Sequence, residues 1–319
     1  MKFGVIGYGS IGKRHISNLI ALGNEDIILL REMGSGNEYN LLEFTKIHTF
    51  LDEQLDAVII ANPSSFHAQY LTQVLDNDIH AIVEKPLVTT LEDLKSIQDQ
   101  LGNYSGIGMT AYNMHFHPCV CFIKKIIDNK ELGKIYSTRF FVGQYLPDWR
   151  PGTDYSQSYS AKREMGGGVL FDLIHEIDLA CYLVGEPVGS IAWQADRISD
   201  LKIDTEDLAE LIYRTKENRF VSIHLDYLTR GYKRYIEIIG EQGNLRADLY
   251  SNKVTVTFES GEVDEKFFSE FSRNDMYLDM LSAFINSIKE KTAPPISLQE
   301  GLISNRIAID IRGHFYGNV

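Results

Sequence analysis

The feature that most constrains the fold is a glycine-rich turn near the start of the chain. The opening run KFGVIG has the apolar character of a β-strand. It leads into a match to the pattern G-x-G-x-x-G, made by Gly7, Tyr8, Gly9, Ser10, Ile11 and Gly12. Gly7 permits a tight turn, Gly9 lets backbone N–H groups approach a pyrophosphate, and Gly12 allows close packing of the following helix. The sequence therefore predicts a βαβ unit that binds a dinucleotide through residues 7–12.

Up to about Pro118 the chain alternates short apolar runs with amphipathic segments. This alternation is typical of an α/β fold with a doubly wound parallel sheet. The runs that read as strands are KFGVIG, DIILLR, DAVIIAN, HAIVEK and SGIGMTA. We therefore expect residues 1–118 to form a Rossmann domain that binds NAD or NADP.

Beyond Pro118 the pattern changes to that of an α+β domain. The helical segments are Val120 to Asn129, Val169 to Val184, Asp275 to Lys289 and Ser297 to Arg312. A strand at 134–146 and a later series of short strands between 190 and 259 predict an open, mainly antiparallel sheet. We expect residues 119–319 to form this second domain.

Charge and composition exclude several classes of partner. The formal net charge of −13 opposes binding to nucleic acid and to anionic membranes, since both require clustered Lys and Arg. No signal-peptide pattern and no long apolar run is present, which predicts a cytoplasmic protein.

The cysteines predict neither a disulfide framework nor a metal site. Only Cys119, Cys121 and Cys181 occur, an odd and sparse set that indicates a reducing compartment. The pair Cys119 and Cys121 lacks a nearby second pair of ligands, so we expect no metal and two small thiols that face the core.

Two charged residues end the second predicted strand, about 20 residues beyond Gly12. Glu32 is suited to bind the adenosine ribose hydroxyls of NAD, whereas Arg31 is suited to receive the 2′-phosphate of NADP. Two solvated charges at a strand end are the structural alternative. The pair favours NAD and leaves NADP open.

A lysine ends the strand HAIVEK, at the carboxyl edge where open α/β sheets bind ligands. Lys85 there can reach the nicotinamide side of a cofactor, and Glu84 can hold or neutralise its ammonium group. Pro86 restricts the chain beyond it and is a candidate for a cis peptide. A lone lysine at a strand end is otherwise a solvated surface residue.

A second group of candidate catalytic residues follows the glycine run Gly166 to Gly168. Asp172, His175 and, more loosely, Asp178 are three residues apart, which on a continuous helix places them on one face. A carboxylate could then orient an imidazole whose ordinary pKa suits proton transfer near neutral pH. The glycines indicate close approach of a ligand or of backbone.

Taken together, these motifs resemble the Gfo/Idh/MocA family of oxidoreductases over essentially the whole chain. The resemblance is carried by GYGSIG, NPSSFHAQ, EKP, AYNMHFHP and GGGVLFDLIHEIDL, in the family's order and spacing. It implies that Lys85, Asp172 and His175 are catalytic. It also implies that Asn62, Pro63, His67, Glu84 and Lys85 line the cofactor.

The sequence departs from the family pattern at two places. Asp172 and His175 are three residues apart, where the family often has four, which resembles a subgroup found in surface-polysaccharide and sugar-nucleotide pathways. In AYNMHFHP, His115 occupies a position commonly filled by Arg. Tyr112, Asn113 and His115 remain candidate substrate contacts, and His117 either lines the cleft or is structural.

A polar segment between 146 and 163 is a candidate substrate loop. Trp149 and Tyr155 can stack on sugar rings, and Arg150 can meet a carboxylate or phosphate. A loop this polar can equally cover a subunit contact.

The resemblance implies hydride transfer between a nicotinamide and a secondary alcohol or ketone of a small-molecule sugar substrate. His175 would take the hydroxyl proton, Lys85 would stabilise the alkoxide, and Asp172 would orient the imidazole or the substrate. The alternatives are a redox-neutral enzyme that keeps NAD bound, such as an NAD-dependent glycoside hydrolase, and a non-catalytic nucleotide-binding regulator. The family also implies a homodimer or homotetramer formed through the second sheet.

Overall fold

The parallel strands of the first 110 residues form a six-stranded sheet in the structure, a computed structural model that describes residues 1–34 and 36–316. The strands are β1 (Phe3–Ile6), β2 (Ile27–Leu30), β3 (Leu42–Phe44), β4 (Ala57–Ile60), β5 (His80–Val83) and β6 (Gly108–Thr110). Their order is β3-β2-β1-β4-β5-β6, and every pairing is parallel. Every residue of β1, β2 and β4 is buried, as expected for a sheet covered on both faces. The predicted doubly wound sheet is confirmed.

Helices connect the strands and continue to the end of the described chain. They are α1 (Ser10–Ala21), α2 (Ile47–Leu51), α3 (His67–Asp76), α4 (Leu91–Leu101), α5 (Pro118–Asp128), α6 (Val169–Asp172), α7 (His175–Val184), α8 (Asp275–Glu290) and α9 (Leu298–Tyr316). Within residues 1–34 and 36–316, none of the helices combines the length and the hydrophobicity that crossing a membrane requires.

The chain divides into two units at places that differ from the predicted boundary. The first unit comprises 1–113 and 274–309, and the second comprises 114–273 and the chain from Asp310 onward. In this division α8 and the first part of α9 belong to the first unit, and the boundary near residue 118 stays a prediction. Periodicity reveals the buried face of a helix but not which sheet that face covers. Residues 317–319 of the predicted domain lie outside the described residues.

The second unit contains a mixed sheet of eight strands. These are β7 (Ile135–Gly143), β8 (Ala192–Asp196), β9 (Leu208–Arg214), β10 (Phe220–Asp226), β11 (Lys233–Gly240), β12 (Gly243–Asp248), β13 (Lys253–Phe258) and β14 (Val263–Phe267). Their order is β14-β13-β12-β11-β7-β10-β9-β8, with β7 and β10 parallel and every other pair antiparallel. The predicted open, mainly antiparallel sheet is confirmed.

One predicted helix is interrupted. The segment expected to be a single helix from Val169 to Val184 forms α6 and α7, which are separated at Leu173 and Ile174. Leu173 has φ −102° and ψ 22°, which takes it out of the helical region. Asp172 and His175 therefore do not lie on one continuous helical face, and the expectation based on helical spacing was wrong.

The second sheet has one buried face and one open face, because buried residues alternate with less buried ones along its central strands. On the open face the rings of Phe141, His224 and Tyr235 form a stack across β7, β10 and β11. Phe141 lies 4.4 Å from His224 and 4.8 Å from Tyr235 between ring centroids, with nearly parallel planes. His224 also bonds to Glu210 at 2.5 Å and to Asp226 at 2.8 Å.

The contacts of His224 predict a pH-dependent contribution to stability. Partial burial opposes its charge, but the hydrogen bonds with Asp226 and Glu210 outweigh that effect and raise the pKa of His224 above 6.5. Stability from this group is therefore fully present below pH 6.5 and is lost as the pH rises through the raised pKa. Between pH 6 and pH 9 we expect the free energy of unfolding to fall by up to about 1 kcal/mol, the upper range for a partly exposed ion pair.

Urea unfolding of the wild type and of His224→Gln at both pH values tests this expectation. The variant should lose the difference between the two pH values. The pKa of Asp226 is lowered, so its own contribution changes only at acid pH and does not interfere. An equal pH dependence in the two proteins would contradict the assignment to His224.

Candidate active site

The glycine turn between β1 and α1 has the geometry that the motif predicts. Gly7 has φ +100°, and a Cβ atom there would lie 2.7 Å from the carbonyl oxygen of Ala61. A Cβ atom on Gly12 would lie 2.1 Å from the carbonyl oxygen of Gly7. Gly9 is exposed and has no described atom within 4 Å of the position of a Cβ. Gly7 and Gly12 are required by the fold itself, whereas Gly9 leaves space for a ligand.

Tyr8, within the same turn, lies among charged side chains near the end of β2. The cationic groups of Lys13 and Arg31 lie 4.8 Å and 5.2 Å from the centroid of its ring. Arg31 also donates to Glu43 at 3.2 Å and to the carbonyl of Gly36 at 2.9 Å. Glu32 is exposed. The carboxylate of Glu32 is thus open to a ligand, whereas Arg31 is already bonded to an acidic partner.

A buried histidine joins the loops that follow β4 and β5. His67 Nδ1 lies 2.7 Å from the carbonyl oxygen of Pro86, and its Nε2 lies 2.9 Å from that of Asn62. The ring is 1% exposed, and burial lowers the pKa of His67 below 6.5. Both ring nitrogens face backbone oxygens, so His67 joins the two loops, and its expected contact with the cofactor stays a prediction. Asn62 and Pro63 remain accessible at the surface of the loop.

The residues after β5 carry the candidate catalytic lysine. Lys85 is half-buried, and the peptide bond between Lys85 and Pro86 is cis. The Glu84 carboxylate lies 2.7 Å from Nε2 of His15, a fully buried residue of α1. Glu84 is therefore held by a histidine that the motifs did not single out.

These residues fit a dinucleotide. No side chain caps the N-terminus of α1, so its first N–H groups remain available to a phosphate. The Oδ1 atom of Asn62 is buried and makes no hydrogen bond with the described residues 1–34 and 36–316. A buried acceptor without a partner is costly, and a bound ligand with a donor group removes that cost. Residues 9–12 and Asn62 would hold the cofactor.

In the second unit the glycine run is explained by backbone and side-chain contacts rather than by a ligand. Gly166 and Gly168 have φ values of +83° and +105°. A Cβ atom on Gly167 would lie 2.3 Å from the carbonyl oxygen of Tyr159, and one on Gly168 would lie 2.3 Å from Glu206 Oε1. These close contacts set the start of α6, where Leu170 N–H donates to Glu206 at 3.1 Å.

Asp172 lies in a buried cluster with two tyrosines. Tyr227 is fully buried and donates its hydroxyl to Asp172 Oδ2 at 2.6 Å. Burial and the adjacent Asp172 carboxylate raise the pKa of both Tyr159 and Tyr227 well above 10, so both hydroxyls remain protonated donors. The two tyrosines therefore hold the Asp172 side chain just before His175, the half-buried first residue of α7.

The acidic residues that follow His175 hold α7 in place. Glu176 is buried and makes a bidentate ion pair with Arg234 of β11, at 2.6 Å and 3.0 Å. Asp178 binds His115 Nε2 at 2.7 Å, and the His115 ring stacks on Tyr182 at 3.9 Å. Asp178 is thus a partner of His115, and the substrate role expected for His115 stays a prediction.

Two neighbours of His115 are also buried. Tyr112 is fully buried in the first unit, with its hydroxyl 2.6 Å from Ser304 Oγ and 3.1 Å from Asn305 Nδ2. Asn113 is 4% exposed. The ring of Tyr112 lies in the core and α9 provides partners for its hydroxyl, and the expected substrate contact stays a prediction.

His117 has a structural role. Its Nδ1 accepts a hydrogen bond from Cys119 N–H at 3.2 Å and caps α5. Burial and the nearby Arg234 lower the pKa of His117 to about 4, so the ring is neutral.

The candidate substrate loop is only partly free. Trp149 is half-buried, donates its indole N–H to the carbonyl of Gln144 at 3.1 Å, and meets Tyr227 edge-on at 5.2 Å. The Tyr155 hydroxyl accepts a hydrogen bond from Lys202 N–H at 3.2 Å. Arg150 is exposed. Trp149 therefore lies next to the tyrosine that binds Asp172.

The cysteines do not form a reactive group. Burial raises the pKa of the Cys119 and Cys181 thiols to about 12, so both remain protonated at neutral pH. Cys121 is exposed, contrary to the expected core position. Within the described ranges no group of His, Cys, Asp and Glu side chains is arranged to hold a metal ion.

The sheet order and the glycine turn define a Rossmann nucleotide-binding protein with an appended antiparallel-sheet unit. Residues 1–111 match the model of the oxidoreductase family with an NAD-binding Rossmann fold, and residues 121–246 match the GFO/IDH/MocA C-terminal domain. The chain belongs to the Gfo/Idh/MocA family of oxidoreductases.

Known proteins resemble the chain along most of its length. Myo-inositol 2-dehydrogenase of Thermotoga maritima is 26% identical over 318 residues, covering 94% of this chain and 92% of that protein. The 2,7-anhydro-N-acetylneuraminate hydratase of Mediterraneibacter gnavus is 25% identical over 207 residues, covering 62% and 52%. A levoglucosan dehydrogenase in complex with NADH and L-sorbose superposes with a TM-score of 0.88 at 19% identity, covering 99% and 97%.

Proposed function

We propose that this oxidoreductase transfers hydride between a nicotinamide and a secondary alcohol or ketone of a sugar or sugar derivative, in the cytoplasm. The observation that carries the proposal is the position of Lys85, directly after β5 at the carboxyl edge of the dinucleotide-binding sheet. The inositol dehydrogenase relative supports a polyhydroxylated substrate.

We propose that Lys85, Asp172 and His175 are the catalytic residues. The His175 imidazole takes the proton of the reacting hydroxyl, and the Lys85 ammonium stabilises the developing negative charge on that oxygen. Asp172, held by Tyr159 and Tyr227, orients the imidazole or the substrate. Residues 9–12 and Asn62 would hold NAD, which would supply the acceptor for the hydride of the carbinol carbon. The same residues serve the reverse reduction, with proton transfer in the opposite direction.

The test of this proposal is a panel of sugars, sugar acids and nucleotide sugars, added with NAD or NADP while absorbance at 340 nm is followed. We expect the absorbance at 340 nm to increase with at least one polyol or sugar.

Trp149, adjacent to Tyr227, and the exposed Arg150 are the proposed substrate contacts of the loop, with Tyr155 more weakly supported. An acidic sugar as the best substrate would favour a role for Arg150.

We propose that NAD is preferred over NADP. Glu32 is exposed, and its carboxylate can accept hydrogen bonds from ribose hydroxyls while repelling a 2′-phosphate. Glu43 partly neutralises Arg31. NADH should bind at least about tenfold more tightly than NADPH, since hydrogen bonds to charged groups contribute about 1.5–3 kcal/mol.

Fluorescence titration of the two reduced cofactors measures this preference. Glu32→Gln should bring the two dissociation constants to within about threefold, because it removes the repulsive charge. Glu25→Gln, at another exposed carboxylate of the first unit, is the matched control and should leave the preference unchanged. Tighter binding of NADPH by the wild type would assign the decisive role to Arg31.

We propose a homodimer or homotetramer formed through the open face of the second sheet. Besides the stack of Phe141, His224 and Tyr235, this face exposes Ile212 and Ile239, at 49% and 52%. Exposed apolar residues beside aromatic rings are typical of surfaces that pack against a protein partner. Light scattering of the purified protein tests the state of assembly.

A redox-neutral reaction is the second candidate function. The matched relative named as a hydratase favours it, because addition of water involves no net change of oxidation state. In such an enzyme the same residues would bind NAD and handle protons without net turnover of the nicotinamide.

A further inference from the structure

His15 is a buried polar residue on the face of α1 that packs against the first sheet and α8. It is fully buried, together with Ile16 and Leu19 of the same helix. A leucine can be buried at such a position without losing hydrogen bonds to water. An imidazole loses them, and a hydrogen bond within the protein must offset that desolvation cost.

The bond that His15 makes is directed at Glu84. Its Nε2 lies 2.7 Å from Glu84 Oε1, and because an ionised carboxylate only accepts, the ring donates Nε2–H. Its Nδ1 is buried and has no hydrogen-bond partner in the described residues, 1–34 and 36–316. The ring of Tyr277 lies edge-on to it at 6.4 Å. Since one nitrogen is left unsatisfied, stability alone does not explain a histidine here.

Glu84 directly precedes Lys85, and the segment is anchored again on the other side of the lysine. The Glu84 N–H donates to the carbonyl of Ile60 in β4, which fixes its backbone. After Lys85, the carbonyl of Pro86 bonds to the buried His67. Lys85 thus lies between a side chain held by α1 and a carbonyl held by α3.

We infer that His15 is a positioning residue that holds the Glu84 carboxylate beside Lys85 and beside the nicotinamide half of the bound cofactor. The inference rests on the proposed function for the role of Lys85. The hydrogen bond links α1, whose N-terminus would face the cofactor's phosphates, to Glu84, which follows β5 and precedes Lys85. Loss of this bond would therefore affect both cofactor binding and the position of Lys85.

The test compares His15→Leu with His15→Gln. Leucine keeps the apolar packing and removes the donor, whereas the amide nitrogen of glutamine can replace Nε2–H. For His15→Leu we expect the dissociation constant of NADH to rise about tenfold and kcat to fall about tenfold, the equivalent of one hydrogen bond to a charged group. His15→Gln should recover both to within about threefold. The melting temperature of cofactor-free His15→Leu should stay within about 3 °C of wild type.

Asn18→Leu is the matched control. Asn18 is buried one turn further along the same face and bonds Asn274 at 2.8 Å, remote in sequence from Glu84 and Lys85. This variant should lower the melting temperature and leave NADH binding unchanged. Glu84→Leu combined with His15→Leu should be no worse than Glu84→Leu alone, because each change removes the same hydrogen bond.

A purely structural role for His15 would overturn the inference. That outcome is a lower melting temperature with unchanged NADH binding, or a glutamine variant as impaired as the leucine variant. If His15→Leu does not fold, His15→Gln and Glu84→Leu are compared instead, and unchanged NADH binding in Glu84→Leu would contradict the inference. NADH binding needs no turnover, so a sugar panel without reaction would refute the proposed function while a weakened NADH complex still supported His15.

Discussion

Replacing Lys85 by alanine is expected to lower kcat by about 10²–10³-fold, the usual loss when a group that stabilises developing charge is removed. The ammonium group is required only when negative charge develops on the substrate oxygen, so NADH should bind within about threefold of wild type. Stopped-flow or steady-state absorbance at 340 nm measures kcat, and NADH fluorescence measures the dissociation constant of NADH.

Lys95→Ala is the matched control for this experiment. Lys95 is an exposed lysine of α4 in the same unit, and its removal should leave kcat unchanged. Lys85→Arg keeps the charge but changes its shape and reach, and we expect it to restore only part of the activity. Full turnover by Lys85→Ala would contradict the assigned role.

Replacing Gly9 by alanine is expected to weaken NADH binding by about 10- to 100-fold while the protein remains folded. Gly9 has φ −75°, which alanine adopts readily, and no described atom lies within 4 Å of the added Cβ. The methyl group would meet only the approaching pyrophosphate and would weaken its charged hydrogen bonds to the backbone. NADH titration measures the loss.

Thermal unfolding of Gly9→Ala without cofactor provides the necessary control. Alanine is a poorer N-cap than glycine, so we expect a decrease of no more than about 4 °C. Gly102→Ala, at an exposed glycine after α4, should change neither the dissociation constant of NADH nor the melting temperature. Unimpaired NADH binding by Gly9→Ala would place the pyrophosphate elsewhere.

The fold was predictable where local patterns are strong. Strands β1, β2, β4 and β5 are continuous apolar runs between glycine, asparagine and charged residues, and the parallel sheet follows from them. Strands β3, β12 and β14 were missed. Strand β3 has three residues and every residue of β14 is exposed, so neither carries the alternation that marks a half-buried strand. Strand β12 begins with Gly243 and Asn244, which are typical of turns.

The break between α6 and α7 shows a limit of helical periodicity. The segment from Val169 to Val184 contains no proline or glycine, and its apolar residues have a spacing compatible with one continuous helix. Tertiary contacts decide the break, since Asp172 bonds Tyr227 on one side and Glu176 bonds Arg234 on the other.

The site was predictable only where its chemistry is encoded within a few residues. The requirement for glycine at Gly7 and Gly12 follows from backbone geometry and was anticipated from the motif. The hydrogen-bond partners of the charged residues could not be anticipated, because they are far away in sequence. Tyr227 is 55 residues from Asp172, and His15 is 69 residues from Glu84. Spacing along one helix could not reveal these pairs.

The central claim is net hydride transfer, and the ratio of nicotinamide reduced to sugar oxidised tests it most directly. The first active sugar from the panel would be incubated with the protein and excess NAD, with NADH measured at 340 nm and the sugar product by mass spectrometry. The account predicts one NADH for each sugar molecule that loses two hydrogens. A product of unchanged oxidation state, formed with no NADH released, would contradict it and establish the redox-neutral reaction.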